Sequence, residues 1–277
     1  RFLFTCYSFV PEHGKIGTDP GMDVGDEVWY YSDNSADYSN KTTFWIAKGM
    51  QNSNEPLVDY WNGTQWGKAM FVGIRDCNVF IENIEKVPDL SAYDKETWKA
   101  EAKVLKAFYH FWMMRMYGPI PIIKENIPVS AGEDEVRVVR DKIDDIVTYI
   151  VSLIDESVEY LPLNIQNEAA EMGRITRPAA KAIKAKILAF AASPFFNGNL
   201  DYANFKNAEG EPFFNQVYDN EKWTKAADAC LEAIQCAEEA GHGLYEFVNM
   251  SSTQLSDETI LSLSNRCKVT ERWNKEL

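Results

Sequence analysis

The residues best suited to ligand chemistry lie between Gly14 and Gly63, in a stretch with neither a helical nor a strand period. The candidate binding residues in it are Trp29, Tyr30, Tyr31, Asn34 and Trp45. Flat aromatic rings provide amphipathic contact area, and an amide provides directed hydrogen bonds. Together they suit a ligand with apolar faces and a polar rim, such as a sugar ring. The alternative interpretation is that some of these rings only pin a long loop to a scaffold.

The same stretch holds an acidic cluster, which raises the question of a calcium site. The cluster comprises Asp19, Asp23, Asp26 and Glu27. Carboxylate oxygens are the ligands that calcium prefers, but these residues lack the alternating spacing of an EF-hand loop. We therefore interpret the cluster as a solvated loop. The three histidines of the chain have no paired spacing, so we predict no metal site of either kind.

The sequence offers little support for catalysis. It contains no nucleophile elbow, phosphate-binding loop or dinucleotide fingerprint, so we predict no catalytic residues and no cofactor. A glycoside hydrolase stays open as an alternative because Asp and Glu total 42, although such enzymes need one pair about 5 to 10 Å apart across a cleft. A tetratricopeptide-like module that binds peptide in its groove is a further alternative, but it leaves the aromatic stretch without a role.

Charge and hydropathy disfavour several classes of partner. The 277-residue chain has 28 Lys and Arg against 42 Asp and Glu, which gives a formal net charge of -14. Nucleic acids and anionic membranes are disfavoured because both are recognised through basic residues. No apolar run approaches the roughly 20 residues of a membrane-spanning helix. The five cysteines lack metal or redox spacing, and we interpret them as small buried apolar residues.

Amphipathic patterns predict the helices that would carry this stretch. The predicted helices run from Gln65 to Ile84, from the cap-type residues at Asp89 to Gly118, from Ile143 to Val158, from Thr176 to Ser193 and from Glu221 to Gly241. Aromatic residues on or beside their apolar stripes are interpreted as core. These residues are Trp98, Phe108, Tyr109, Trp112 and Trp223. The tryptophans that flank the Asn62-Gly63 turn, Trp61 and Trp66, remain unassigned.

Two of the helices share a four-residue motif, Ala102-Lys-Val-Leu105 in one and Ala185-Lys-Ile-Leu188 in the other. Each motif lies in the second helix of a predicted hairpin. Repeated helix pairs are typical of helical arrays, in which small residues let neighbouring helices approach closely. The sequence therefore predicts a mainly α protein built from helical hairpins with long irregular loops. One short extended piece is expected at Ile120 to Ile123.

Three ordered segments resemble those of a known family. Residues 74–84 read IRDCNVFIENI and fit a helix of the form I-x-x-x-N-x-x-L-E-x-I. Residues 100–123 read AEAKVLKAFYHFWMMRMYGPIPII and resemble an alanine-rich helix that ends in R-x-Y-G-x-V-P-L. Residues 173–197 read GRITRPAAKAIKAKILAFAASPFFN and resemble G-R-x-T-x-x-A-A-x-x-L-x-A-R-x-L-x-x-A-A-S-P-L-F-N. All three patterns are those of the SusD/RagB family, and the resemblance covers most of residues 65 to 200.

The resemblance implies a SusD-like fold of tetratricopeptide-like helical hairpins and a role in binding, not catalysis. It also implies an outer-membrane lipoprotein on the extracellular face, which captures an oligosaccharide or other nutrient. Delivery of that ligand to a SusC-like TonB-dependent transporter is the expected next step. Contact with the membrane is expected only through a lipid anchor that this chain does not contain.

The resemblance also suggests how the chain is organised. We expect one SusD-like helical domain over residues 1–277, truncated at both ends because the sequence starts and stops abruptly. Within it, residues 14–63 are predicted to form a loop-rich insertion. Residues 65–241 are predicted to form the helical hairpin scaffold that carries the insertion.

Overall fold

The computed structural model describes residues 1–12, 21, 25, 45–65, 67–244 and 261. Within those residues the regular secondary structure is helical, and β-pairing is limited to isolated bridges. The α-helices that are described over their whole length are α1 (Phe2–Tyr7), α2 (Met70–Asn83), α3 (Ala92–Tyr117), α4 (Glu133–Val136), α5 (Ile143–Asp155), α6 (Glu168–Glu171), α7 (Arg177–Ala192) and α8 (Glu221–Glu239). Single 3₁₀ turns follow α2 at Ile84–Lys86 and α5 at Val158–Tyr160. The prediction of a mainly α protein is confirmed.

The longest helix, α3, begins and ends at residues that the sequence marks clearly. Before its first turn, the Ser91 hydroxyl accepts a hydrogen bond from the Asp94 N–H at 3.1 Å, which satisfies one of the free donors of a helix start. At its other end Gly118 has a φ of 69°, a backbone conformation that glycine adopts without strain. The predicted stop at Gly118 is confirmed.

Helix α7 also begins and ends at residues that the sequence marks clearly. The Thr176 side chain accepts a hydrogen bond from the Ala179 N–H, and Pro178 occupies the first turn, where its missing N–H costs nothing. The helix ends at Ser193, which has extended backbone angles. The bounds predicted from this Thr-Arg-Pro start and Ser-Pro break are confirmed.

Successive long helices pack side by side in chain order. Helix α2 packs on α3, α3 on α5, α5 on α7 and α7 on α8, while α1 lies against α2 and α3. Only a short connection joins α2 to α3, so this pair forms an antiparallel hairpin. Helix α3 is central, because consecutive residues from Tyr109 to Met114 are all buried and the helix is therefore enclosed on every side.

Among the described residues, the segment from Ile120 to Ile123 belongs to neither a helix nor a strand. Its Ile122 N–H donates to the Asp141 carboxylate at 2.7 Å, and the Ile123 N–H donates to Nε2 of His110 at 3.1 Å. His110 is completely buried, and burial lowers its pKa to about 4. The imidazole is therefore neutral at physiological pH and has a nitrogen free to accept this bond.

The helix predicted to start at Gln65 begins five residues later, at Met70. The reason is a close backbone contact at Gly67, where a Cβ would lie 2.0 Å from the carbonyl oxygen of Asp59. The backbone is folded back before the helix, and the Met70 N–H donates to the Tyr60 carbonyl at 3.1 Å. A periodic pattern of apolar residues does not report such a contact, so this part of the helix prediction is wrong.

The predicted apolar stripe of α8 faces outward. Its exposed members are Trp223, Ala227, Cys230 and Ile234. The residues of α8 that are buried are Ala226, Ala229 and Cys236. These small side chains let α8 approach the alanine-rich α7 closely, which places the larger apolar residues on the opposite side. The core interpretation is therefore wrong for Trp223, which is 43% exposed, and for Cys230.

The core interpretation holds for the remaining helical aromatics. Tyr109 and Trp112 are buried, and Trp98 and Phe108 are partly buried against the same core. Three of the cysteines, Cys6, Cys77 and Cys236, are buried as predicted, whereas Cys267 lies outside the described residues.

The described residues form neither a metal-binding cluster nor a membrane-spanning helix. The acidic cluster of Asp19, Asp23, Asp26 and Glu27 lies outside the described residues. In the part of the chain that is described, no group of His, Cys, Asp or Glu side chains is arranged to hold a metal ion. None of the helices described here has both the length and the apolarity needed to cross a bilayer.

Candidate functional site

An open groove of about 1180 Å³ lies between the segment 46–65 and the C-terminal end of α3. We call it the Trp61 groove. Its lining combines aromatic rings with amide and hydroxyl groups, among them Gln51, Asn52, Trp61, Asn62, Thr64 and Tyr117. This is the combination of flat rings and directed hydrogen-bonding groups that suits a sugar.

Asp59 organises the turn that presents Trp61. One carboxylate oxygen accepts the backbone N–H groups of Trp61 and Asn62 at 2.9 and 3.0 Å. The other accepts the Asn62 amide at 2.9 Å and the Thr64 hydroxyl at 3.0 Å. Burial by itself would raise the pKa of the Asp59 carboxyl, but these hydrogen bonds lower the pKa below its usual value. Asp59 is therefore an ionised structural group that fixes the turn.

The Trp61 ring is held by aromatic neighbours. It makes edge-to-face contacts with Phe71 and Tyr117, with ring centroids 4.9 and 5.5 Å apart. The Arg140 guanidinium lies over the ring, 5.2 Å from its centroid. The ring is only partly buried and lines the groove, so part of it stays accessible to a ligand beside Arg140. A ring already fixed in this way loses little conformational entropy when a ligand binds.

Tyr117 and Arg140 are themselves tied to the backbone. The Tyr117 hydroxyl oxygen accepts the Tyr60 N–H at 2.9 Å, and burial raises the pKa of Tyr117, so the phenol stays neutral. Arg140 donates to the carbonyl oxygen of Pro119. A guanidinium has five N–H donors, so this bond leaves donors for a ligand.

The wall opposite α3 is shaped by side-chain amides. Gln51 uses both ends of its amide, accepting the Leu57 N–H at 2.6 Å and donating to the Val58 carbonyl at 2.9 Å. The Asn52 oxygen accepts two backbone N–H groups at 2.8 and 3.0 Å. Gln65, on the same lining, is exposed. The groove thus has a fixed wall and an exposed amide at its rim.

The groove is better suited to binding than to hydrolysis. The carboxylates among its lining residues are Glu55 and Asp59. Glycoside hydrolysis needs two carboxyl groups, one of which donates a proton. Asp59 is ionised and engaged in four hydrogen bonds, so it is unsuited to be a general acid.

Of the binding residues predicted from sequence, the structure describes Trp45. Trp45 is 38% exposed, its ring lies 5.2 Å from the Lys48 ammonium, and the next residue, Ile46, lines the Trp61 groove. The other candidates, Trp29, Tyr30, Tyr31 and Asn34, lie outside the described residues. The assignment of all five to ligand binding stays a prediction.

The sequence analysis left Trp61 unassigned, and the structure places it in the lining of the groove. The available signal was the Asp-x-Trp-Asn-Gly sequence, which is typical of a turn. In this turn the Asp59 carboxylate accepts hydrogen bonds from the backbone N–H groups of Trp61 and Asn62 and so fixes the position of the Trp61 ring. The contribution of Arg140 had no comparable signal, because this residue is 79 positions away from Trp61 along the chain and reaches it only through the fold.

Comparison with known sequences identifies a family. The model of a SusD-like family described as "Starch-binding associating with outer membrane" matches residues 17–188, which is more than half of the chain. A SusD-like protein of Bacteroides ovatus is 31% identical over 99 residues, which span 36% of this chain and 16% of that protein.

Comparison with solved structures gives the same fold. A protein named BT4246 has a TM-score of 0.75 and 28% identity, over 95% of this chain and 45% of that chain. A SusD-like protein of Bacteroides fragilis, BF3747, has a TM-score of 0.57 and 18% identity, over 89% of this chain and 38% of that chain. The chain thus spans less than half the length of these relatives.

Proposed function

The chain belongs to the SusD-like family of starch-binding proteins that associate with the outer membrane, and from this premise we propose that it captures oligosaccharides in the Trp61 groove. The observation that carries the proposal is the fixed Trp61 ring beside Arg140 and a rim of amides. A rigid ring can stack on the apolar face of a sugar, while the guanidinium and amides reach its hydroxyls.

The proposal extends to the cellular role of the protein. A glycan bound at the cell surface would be passed to a SusC-like TonB-dependent transporter, and a lipid anchor would hold the protein at the extracellular face of the outer membrane. Family membership supports both statements. The predicted candidates Trp29, Tyr30, Tyr31, Asn34 and Trp45 would add stacking and hydrogen-bonding groups to the glycan-binding surface.

The Trp61→Ala variant of the full chain is expected to bind glycan about thirtyfold more weakly, which corresponds to about 2 kcal/mol, as for other buried binding anchors. The physical reason is the loss of the stacking surface and of the support for Arg140. Affinity electrophoresis in gels with soluble starch, laminarin or β-mannan would identify a bound polysaccharide, and calorimetry with its oligosaccharides would give the Kd.

Trp223→Ala is the matched control, because Trp223 is an exposed tryptophan outside the groove. Its glycan affinity should equal that of the wild type. Trp61→Phe, which keeps a ring in place, should retain most of the affinity, and circular dichroism should report the same helix content for every variant. Equal affinities for Trp61→Ala and wild type would refute the groove as the site, and calorimetry on Trp45→Ala would then test the predicted stretch.

The protein is expected to leave the bound polysaccharide intact. The reason is that both Asp59 carboxylate oxygens are engaged in hydrogen bonds that fix the turn, which leaves Glu55 as the one carboxyl group in the lining of the Trp61 groove without such a structural role, whereas hydrolysis uses a pair. Incubation with the retained polysaccharide, followed by a reducing-end assay against a Glu55→Gln variant, would measure turnover. Release of reducing ends by wild type and not by the variant would make the protein a glycoside hydrolase.

A further inference from the structure

A second groove of about 670 Å³ adjoins the Trp61 groove. We call it the Lys206 groove. It lies between the segment 138–142 before α5 and the loop 206–213, and Trp61 and Arg140 line both grooves. The two cavities therefore meet at the Trp61–Arg140 pair and are open on either side of it.

The loop that forms the far wall of the Lys206 groove is firmly built. The Asn207 N–H donates to the Glu211 carbonyl at 2.9 Å, and the Asn207 oxygen accepts the Glu211 N–H at 2.8 Å. The Glu211 carboxylate pairs with Lys142 at 2.7 Å across the groove. The Phe213 carbonyl accepts the Ile143 N–H at 3.0 Å, which ties the loop to the first turn of α5.

The charges along the two grooves indicate what kind of ligand they accept. Their basic lining residues are Arg140, Lys142 and Lys206. Their acidic lining residues are Glu55, Asp59, Asp141, Asp145, Glu209 and Glu211. With twice as many acidic as basic groups, the combined surface repels an anionic ligand, and the chain as a whole carries a net charge of -14.

We infer that the two grooves form one extended cleft for an uncharged oligosaccharide, which crosses the Trp61–Arg140 pair and occupies subsites in both. The inference rests on the proposed function and specifies its ligand class. A disaccharide at Trp61 would fill only part of the Trp61 groove, whereas a longer chain would gain contacts with Val139 and Lys206 in the second groove. Uronic acid chains would be rejected by the acidic lining.

The test is calorimetry with neutral oligosaccharides of two and of six or more units, prepared from whichever polysaccharide the full chain retains. The longer chain is expected to bind wild-type protein at least about tenfold more tightly than the disaccharide, a difference of about 1.4 kcal/mol. The double variant Val139→Ala/Lys206→Ala should lose most of that gain and bind the disaccharide as wild type does. Oligogalacturonate of six units is the anionic probe and should give no measurable heat.

The double variant Val136→Ala/Lys225→Ala is the matched control, because its exposed residues are of the same types and line neither groove. It should bind the longer chain as wild type does. Two results would overturn the extended cleft and leave the proposed function standing. In the first, glycan affinity depends on Trp61 but not on the length of the oligosaccharide. In the second, the Val139→Ala/Lys206→Ala variant keeps the full gain in affinity for the longer oligosaccharide. Oligogalacturonate bound as tightly as the neutral chain would overturn the ligand class. Failure of every polysaccharide to bind would refute the proposed function itself.

Discussion

Replacing Arg174 by methionine should lower the free energy of unfolding by about 3 to 5 kcal/mol, the cost of leaving a buried charge without its partner. That partner is Glu101 on α3, whose side chain is 1% exposed. The Arg174 guanidinium donates to both Glu101 oxygens, at 2.5 and 3.2 Å. Methionine keeps much of the apolar length of arginine and removes the charge. Urea unfolding followed by circular dichroism would measure the change.

The size of the effect follows from the connections of this ion pair. The Tyr7 hydroxyl of α1 donates to Glu101 at 2.5 Å and accepts the Ile175 N–H at 2.9 Å. The Arg174 guanidinium also lies 5.6 Å from the Trp98 ring centroid. The network therefore joins α1, α3 and the segment that leads into α7, so its loss weakens the packing between these three parts of the chain.

An exposed ion pair provides the control for this prediction. Arg137 and Glu133 pair one turn apart in sequence, with side chains 69% and 76% exposed. Arg137→Met should change the free energy of unfolding by at most about 0.5 kcal/mol, since exposed pairs contribute little. Adding Glu101→Gln to Arg174→Met should recover part of the lost stability, because the uncompensated charge is then gone. Equal effects of Arg174→Met and Arg137→Met would contradict the buried network.

The helices were largely predictable because their signals are local. The apolar spacing of α5, the Ser91 and Thr176 caps and the Gly118 stop all lie within a few residues of the features that they determine. Where a prediction failed, the deciding contact was remote or involved the backbone. The backbone contact between Gly67 and the Asp59 carbonyl delays the start of α2 to Met70. Helix α8 turns its alanines toward α7, so Trp223 faces outward.

The candidate site was less predictable than the fold. The sequence indicates an aromatic and amide surface within residues 14–63, and Trp61 lies in that range but was left unassigned. Its proposed role depends on Phe71 of α2, Tyr117 of α3 and Arg140, which come together only when the helices pack. The burial of Glu101 and Lys106 was equally unpredictable, because a charged residue in a helical pattern ordinarily indicates a solvated face.

Lys106 is a buried charge whose replacement should stabilise the protein. Its side chain lies in the core with 4% exposure, donates to the Lys124 carbonyl at 2.5 Å and lies 5.7 Å from the Tyr149 ring centroid. Burial lowers the pKa of Lys106 from 10.5 to about 8. The folded state therefore holds the ammonium at neutral pH at a cost of about 3 kcal/mol relative to the unfolded chain.

We expect Lys106→Met to raise the free energy of unfolding at pH 7 by about 2 kcal/mol, because the charge cost of about 3 kcal/mol disappears while a hydrogen bond of about 1 kcal/mol is lost. The sign of the pH dependence is fixed by the lowered pKa. Between about pH 8 and pH 10.5 the unfolded state holds more protons on Lys106 than the folded state, so wild-type stability from this group rises with pH. The advantage of Lys106→Met should shrink over that range and reverse near its upper end. Urea unfolding of both proteins at pH 7 and pH 10 measures the difference in stability between them, and the titration of other groups cancels in this difference.

Lys103→Met is the control, because it replaces a lysine that pairs with Glu156 at the surface, and it should show no such reversal. A stability difference for Lys106→Met that does not change with pH would mean that the Lys106 ammonium is not desolvated.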